Sequence, residues 1–183
     1  MKELSLNILD IANNSVKAKA SKIEICVTES KKDDFVSVDI ADNGCGMDEQ
    51  MLLRVIDPFV TTRTTRKVGL GIPLLRQQAI DTDGHFDISS KPSKGTKVHA
   101  DFRLTHLDRP PIGDIASTVV SLIFASPDIR YIYKHKTDSG SFMLDTDQVK
   151  EQLGDIPLNE PEVITWLTEY INENLQCIEG GKI

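Results

Sequence analysis

Two short runs with two-residue alternation, residues 22–28 (KIEICVT) and 35–41 (FVSVDIA), set the frame of this chain. Successive side chains of a strand point to opposite faces, so both runs read as strands with one apolar face, joined by the charged turn SKKDD at residues 30–34. Ahead of them, Leu4, Ile8, Ile11, Ala12 and Val16 recur at helical spacing, which predicts an amphipathic helix over residues 3–19. A second pair of strands is expected at 87–90 and 96–104, around the turn KPSKG. Helices are expected at 48–56 and 71–80, and the Thr- and Arg-rich residues 58–68 lack any apolar period and read as a loop.

After residue 104 the texture changes. A Pro-rich connector, HLDRPPIG at 106–113, leads to an apolar helix at 114–125. A hairpin follows at 129–135 and 141–144, closed by TDSG, and then helices at 147–153 and 161–175. Asp145 and Thr146 supply a cap for the first of these, and Pro161 a favoured first-turn residue for the second. The expected division is a domain over residues 1–105 and a small α+β appendage over 106–183, a partition that 183 residues can support.

Composition narrows the partners. Hydrophobic residues at 39% and charged residues at 27% are ordinary for a globular chain. A formal net charge of −7 argues against a nucleic-acid binder, which needs a basic stripe to neutralise phosphates. No apolar run approaches the roughly eighteen residues that span a bilayer, and MKELSLNILD has no signal-peptide hydrophobic region. Cys26, Cys45 and Cys177 lack zinc-like spacing and cannot all pair with one another, so a reducing, cytoplasmic setting is expected.

Four groups of residues carry chemistry. Asn7, Asp10, Asn14 and Lys17 are spaced three, four and three apart, which places them on one face of the first helix. An amide oxygen can ligate magnesium, an ammonium can meet a phosphate, and a carboxylate can orient water; a plain solvated face is the alternative. Asp42, Asn43, Gly44, Cys45, Gly46 and Met47 break the second strand, where a carboxylate can accept from an exocyclic amine and glycines allow close backbone approach. A simple Asn-Gly turn is the alternative there. Gly69, Leu70, Gly71 and Ile72 open a helix after Arg63, Arg66 and Lys67, a setting that suits an anion or merely close packing. Gly95-Thr96 before a strand adds little by itself.

Taken in order, these groups resemble the N, G1, F, G2 and G3 boxes of the GHKL superfamily, over roughly residues 7–104. That superfamily includes histidine kinases, type II topoisomerases, MutL-type repair proteins and a class of heat-shock chaperones. The resemblance implies an α+β fold, the Bergerat α/β sandwich, with a mixed sheet, helices on one face and a mobile ATP lid. It implies ATP with Mg2+ as ligand, Asn14 as metal ligand and Lys17 at phosphate. By the same match Asp42 takes adenine, with Gly44, Gly46 and Met47 beside it. Phe59 matches the F box, Arg63 the lid cation, Gly69 and Gly71 the last G2 glycines with Leu70 and Ile72 beside them, and Thr96 the G3 threonine. Two positions depart from the pattern. Lys67 stands where G2 opens with glycine, so it could itself bind phosphate. Asp10 stands where the repair and topoisomerase branches carry a water-activating Glu, and its side chain is shorter.

The whole chain also resembles small stand-alone bacterial histidine-kinase-like ATP-binding proteins. Few residues precede the first helix here, so the dimerisation hairpin and membrane sensing of sensor kinases are not expected. THLDRPPI at 105–112 resembles a phospho-acceptor box around His106, but Leu107 rather than an acid follows the histidine, which favours a structural connector. Three activities stay open: phosphotransfer to a partner protein, which Lys17 and the TTR lid favour; a slow ATPase acting as a conformational switch; and a nucleotide sensor without turnover.

Overall fold

The computed structural model describes residues 3–56 and 71–179. Its element order is α1 (Leu4–Lys17), β1 (Lys22–Ser30), β2 (Phe35–Asp42), α2 (Glu49–Ile56), α3 (Gly71–Asp81), β3 (Phe86–Lys91), β4 (Gly95–Arg103), α4 (Ile115–Ala125), β5 (Arg130–Thr137), β6 (Gly140–Asp145), α5 (Thr146–Leu153) and α6 (Pro161–Ile178).

The six strands form one sheet in the order β3-β4-β2-β1-β5-β6. Every neighbouring pair is antiparallel except β1 and β5, which run parallel, so the sheet is mixed as expected. Alternation puts Ile23, Ile25 and Val27 of β1, Val36, Val38 and Ile40 of β2, and Val98, Ala100 and Phe102 of β4 on one buried face. Leu4, Ile8, Ile11 and Ala12 of α1 lie in the same core, and α3 and α4 pack against α1. Squeezed between two helices, α1 keeps only a narrow solvent strip. Asn7 falls outside that strip: it is 1% exposed, and its amide donates to Gln78 Oε1 at 2.7 Å.

The stretch after residue 105 has the expected α+β content and continues the same sheet. Ile23↔Tyr131 and Ile25↔Tyr133 are register partners across the β1–β5 pair. One carboxylate ties its β5–β6 turn to the first hairpin, and a second ties that hairpin to the end of β4. Asp138, in the β5–β6 turn, accepts from Ser30 Oγ and from the backbone amides of Lys31 and Lys32. Asp34, at φ 55°, accepts from the amide and hydroxyl of Thr105 and from Arg103 Nε. Under α6, His135 is 2% exposed, with Nε2 2.9 Å from Glu29 Oε1 and Nδ1 2.6 Å from the Tyr133 hydroxyl. A carboxylate can only accept, so in the neutral ring Nε2 carries the proton and Tyr133 donates to Nδ1. Burial pushes the Tyr133 phenol well above its usual range. No helix among the described residues is long and apolar enough to cross a membrane.

The expected caps are in place. Asp145 accepts from the Asp147 amide at 3.1 Å and starts α5, and Pro161 opens α6. Asp145 is 6% exposed and also takes both Nε and Nη2 of Arg130, at 3.0 and 2.6 Å. The Arg130 hydrogen bonds hold its carboxyl below the ordinary Asp range. Arg130 itself is 42% exposed, so screening limits the pair and the cap dominates; Asp145→Ala should cost about 1–2 kcal/mol in urea unfolding. A depressed carboxylate stabilises above its unfolded-chain value near about pH 4 and loses that stabilisation as pH falls through the lower folded value. The gap between native and variant protein should therefore narrow below about pH 4. A gap that stays constant on further acidification would remove Asp145 as a charge-dependent anchor.

Candidate functional site

The end of β2 meets the last turns of α1 and the start of β4 at one carboxylate. Asp42 Oδ2 accepts from Ser15 Oγ at 2.6 Å, and Oδ1 accepts from the amides of Gly44 at 2.8 Å and Thr96 at 3.3 Å. A carboxylate offers about four acceptor positions. Three are taken, and the fourth, on Oδ2, is left for an outside donor. Asp42 is half-buried, with the group held in one orientation and still reachable.

The loop after Asp42 is pinned along its length. Asn43 Oδ1 accepts from the amides of Ser21 and Lys22, so the Asn-Gly turn clamps the α1–β1 connection rather than closing a hairpin. The Cys45 amide donates to Ala18 O at 2.9 Å, and the Met47 amide to Ser90 Oγ at 2.8 Å. Ser90 Oγ in turn donates to Gly95 O, and lies 3.0 Å from Thr96 Oγ1. Glycine is required where these backbones touch. At Gly46, φ +66°, a Cβ would overlap the Lys91 carbonyl, and at Gly95, φ +82°, it would overlap the carbonyl of Asp42 itself. A Cβ on Gly44 would meet Ala18 O at 2.8 Å.

On α1, Asp10 is exposed, Asn14 half-buried and Lys17 exposed in the last turn. Gly71, the first residue of α3, approaches Asp10 so closely that a Cβ would stand 2.9 Å from Asp10 Cβ and 3.6 Å from Oδ2. The Asp10 carboxylate thus lies beside Gly71, the first described residue of α3. Ile72 is 5% exposed and its side chain belongs to the core, leaving its backbone as the part near the site. Arg63, Lys67, Gly69 and Leu70, with Phe59, Arg66 and the expected lid over 58–68, lie outside the described residues. Of the residues singled out from sequence, the structure brings Asp42, Gly44, Met47 and Thr96 into one hydrogen-bonded cluster with Gly46 packed closely against Lys91 beside it, and sets Asp10 against Gly71. Sequence reading missed Ser15 and underweighted Gly95. Ser15 extends the buried series Leu4, Ile8, Ile11, Ala12, and a lone hydroxyl on an apolar stripe is the available clue.

Among the described residues no three His, Cys, Asp or Glu side chains gather as a metal cluster. His106, on the connector, is half-buried, and its Nδ1 accepts from the Asp108 amide at 3.1 Å.

A mixed sheet with helices on one face, an acceptor carboxylate at the end of β2 and a glycine-started helix beside α1 define a GHKL-type nucleotide-binding domain. The chain belongs to the family of histidine kinase-, DNA gyrase B-, and HSP90-like ATPases, whose model matches residues 2–106, and it carries that family's ATP-binding domain. It is 34% identical over 95 residues to the signal transduction histidine-protein kinase AtoS of Escherichia coli, a match covering 52% of this chain and 15% of AtoS. Over 106 residues it is 29% identical to the sensor histidine kinase YxdK of Bacillus subtilis, covering 55% of this chain and 33% of YxdK. The matched part spans a third or less of these relatives' length. Among solved structures, the ADP complex of the Aquifex aeolicus MutL ATPase domain superposes with a TM-score of 0.53 at 14% identity, covering 84% of this chain and 68% of that one. The N-terminal domain of a DNA repair protein gives 0.54, also at 14% identity, covering 79% of this chain and 53% of that one. These likenesses are of fold, and at 84% coverage the superposition runs past the residues matched by the family model.

Gly95 and Gly154 separate two costs of adding a methyl group. Both have positive φ, +82° and +62°, but nothing lies within 4 Å of a Cβ on Gly154. Gly154 combines φ +62° with ψ −116°, mirror-image β backbone open mainly to glycine, so Gly154→Ala should cost about 1–3 kcal/mol from the backbone alone. Gly95→Ala must also push the Asp42 backbone aside and should cost about 2–4 kcal/mol in thermal or urea unfolding. Equal costs would mean that the β2–β4 approach is loose.

Proposed function

We propose that this chain binds Mg-ATP at the Asp42 cluster and transfers the γ-phosphate to a partner protein. The observation that carries the nucleotide assignment is the fourth acceptor position of Asp42, which suits the exocyclic amine of adenine. Gly44, Gly46, Met47 and Thr96 would line the base. The triphosphate would run along α1 toward the start of α3, past Asn14 and Lys17, with the backbone of Gly69, Leu70, Gly71 and Ile72 and the cations Arg63 and Lys67 at its outer phosphates. The donor set fits magnesium, a hard cation that keeps several waters: the Asn14 amide oxygen and phosphate oxygens would hold it. Bound there, it would neutralise charge developing on the transferred phosphoryl group. Asp10, beside α3, would orient the attacking group. In this reading residues 1–105 hold nucleotide, and residues 106–183 extend the sheet and meet the partner in the cytoplasm.

Transfer breaks the bond between the γ-phosphorus and its bridging oxygen, releases ADP and forms a new bond to an acceptor side chain. His106 is poorly set for that role. Its Nδ1 accepts a backbone N–H, which leaves the proton on Nε2, the nitrogen that would need a free lone pair. An acceptor His or Ser on another protein is therefore favoured, in keeping with the histidine kinases among the relatives. A second reading, a slow ATPase that works as a conformational switch, draws on the MutL superposition and on Asp10 lying beside Gly71; a sensor without turnover is the third.

Asp42→Asn keeps an oxygen for the Gly44 and Thr96 amides but turns an NH2 toward the base. The Ser15 hydroxyl can rotate to accept from it, whereas the adenine amine cannot. ATP affinity should fall by about 2–4 kcal/mol, and the native protein should bind GTP poorly because it presents a carbonyl there. Equal affinities for ATP and GTP by calorimetry would refute the assignment.

The reaction is decided by incubation with γ-labelled ATP and magnesium, together with candidate partner proteins. Label on a partner is the expected result, acid-labile where the acceptor is His and acid-stable where it is Ser; phosphate release without labelled protein selects the switch, and bound but unchanged ATP selects the sensor.

A further inference from the structure

The negative charge of this chain is not spread over it. Residues 151–179 contain seven carboxylates and no Lys, Arg or His, which equals the whole formal charge of −7 and leaves the remainder balanced. α6 presents part of this charge as a ridge: Glu162, Glu169 and Glu173, spaced seven and four apart, share one side of the helix and are all exposed.

An aromatic strip lies between that ridge and the buried stripe of α6. Trp166 and Tyr170, four residues apart, stack with ring centroids 5.2 Å apart and planes 16° from parallel, yet remain 43% and 37% exposed. Tyr170 meets Phe142 of β6 edge-on at 5.6 Å. Trp166 also forms one wall of a groove of about 330 Å³ between α5 and α6, lined by Val149, Gln152, Leu153, Glu162 and Val163 as well. Ile156, on the α5–α6 connection, is 52% exposed. Leaving such rings in water forgoes burial worth about 25 cal/mol per Å², and stacked exposed aromatics beside a groove are typical anchors for a partner.

We infer that the α5–α6 groove is a docking surface for a basic, amphipathic helical segment of a partner protein. An apolar side chain of the segment fills the groove between Val149, Leu153 and Val163, and its Lys or Arg residues meet the Glu162–Glu169–Glu173 ridge. A cation over the exposed Trp166 ring adds cation–π attraction. The same ridge repels nucleic acid and anionic lipid, which leaves a cationic polypeptide as the complementary occupant. The surface is separate from the Asp42 cluster and does not depend on the reaction proposed there.

Trp166 is the only tryptophan of the chain, so its emission reports directly on the groove. The probe is a short amphipathic helical peptide with one leucine face and one lysine face, set against a control with glutamate in place of lysine. The lysine peptide should shift Trp166 emission to the blue with saturation, and the glutamate peptide should not. The triple variant Glu162→Lys, Glu169→Lys, Glu173→Lys should weaken lysine-peptide binding by at least about tenfold while ATP affinity stays unchanged. Should that variant fail to fold, raising salt on the unaltered protein must weaken the lysine peptide by a similar factor. Equal response to both peptides, or indifference to both charge reversal and salt, would overturn the inference. So would Trp166 emission that changes with protein concentration in the absence of peptide, because the groove would then be covered by a second copy of the chain.

Discussion

Asp42 is the junction on which the nucleotide-binding half is built. Its carboxylate draws donors from α1 through Ser15, from its own loop through Gly44 and from β4 through Thr96. Those three elements are far apart in sequence and none could be displaced without leaving a half-buried anion short of partners, which is costly. The close approach of Gly95 to the Asp42 carbonyl and of Gly46 to Lys91 follows from the same requirement, since the backbones must meet for the short bonds to form. Orientation is the functional return. A carboxylate with three fixed donors has one direction left in which to accept, and in the proposed nucleotide site that direction would favour an amine over a carbonyl.

The C-terminal stretch rests on a different constraint, the second edge of β1. With β2 on one side, β1 would expose a row of unpaired backbone groups on the other, and β5 fills that edge in parallel register from Lys22↔Arg130 to Thr28↔Lys136. The crossover it needs passes through α4, whose Ile115, Val119 and Ile123 enter the same core as α1. Glu29, His135 and Tyr133 satisfy one another beneath α6, so these three polar side chains of β1 and β5 are paired across the join, while the buried Tyr131 hydroxyl of β5 has no protein partner among the described residues.

How much of this was legible follows from what periodicity can report. Ile23, Ile25 and Val27 against Val36, Val38 and Ile40 identify two strands and their shared face without help, and Leu4, Ile8 and Ile11 identify the helix that covers them. Element ends moved by one to three residues, as with β1 running on to Ser30, where a strand's last pair depends on its partner's length, and α6 running on to Ile178. The ordered boxes from Asn14 to Thr96 revealed the family, since spacing and residue type coincide there. Neighbourhood in space was not legible. Nothing in Arg130–Thr137 says that it lies beside β1, so residues 106–183 read as an appendage when they complete the sheet. Asn7 looked like part of the polar strip because spacing cannot show that α3 covers that turn of α1. Gly95 carried no visible weight because its role is a contact with Asp42, fifty-odd residues earlier in the chain.

The way the two halves are joined limits how nucleotide state could reach the α5–α6 surface. A hinge between residues 1–105 and 106–183 would have to break the β1–β5 ladder and release Asp138 from the amides of Lys31 and Lys32, so rotation of one half against the other is disfavoured. Packing offers a cheaper route. Gly71 of α3 rests on Asp10 of α1, α1 packs on α4, and α4 packs on α6, so any displacement at Gly71 would act on a continuous layer of helices above a fixed sheet. Close-packed helices respond by small sliding steps rather than by bending. If the switch reading holds, its output is a shift of α6 against β6 of an ångström or so, enough to reset the groove beside Trp166 and leave the sheet untouched.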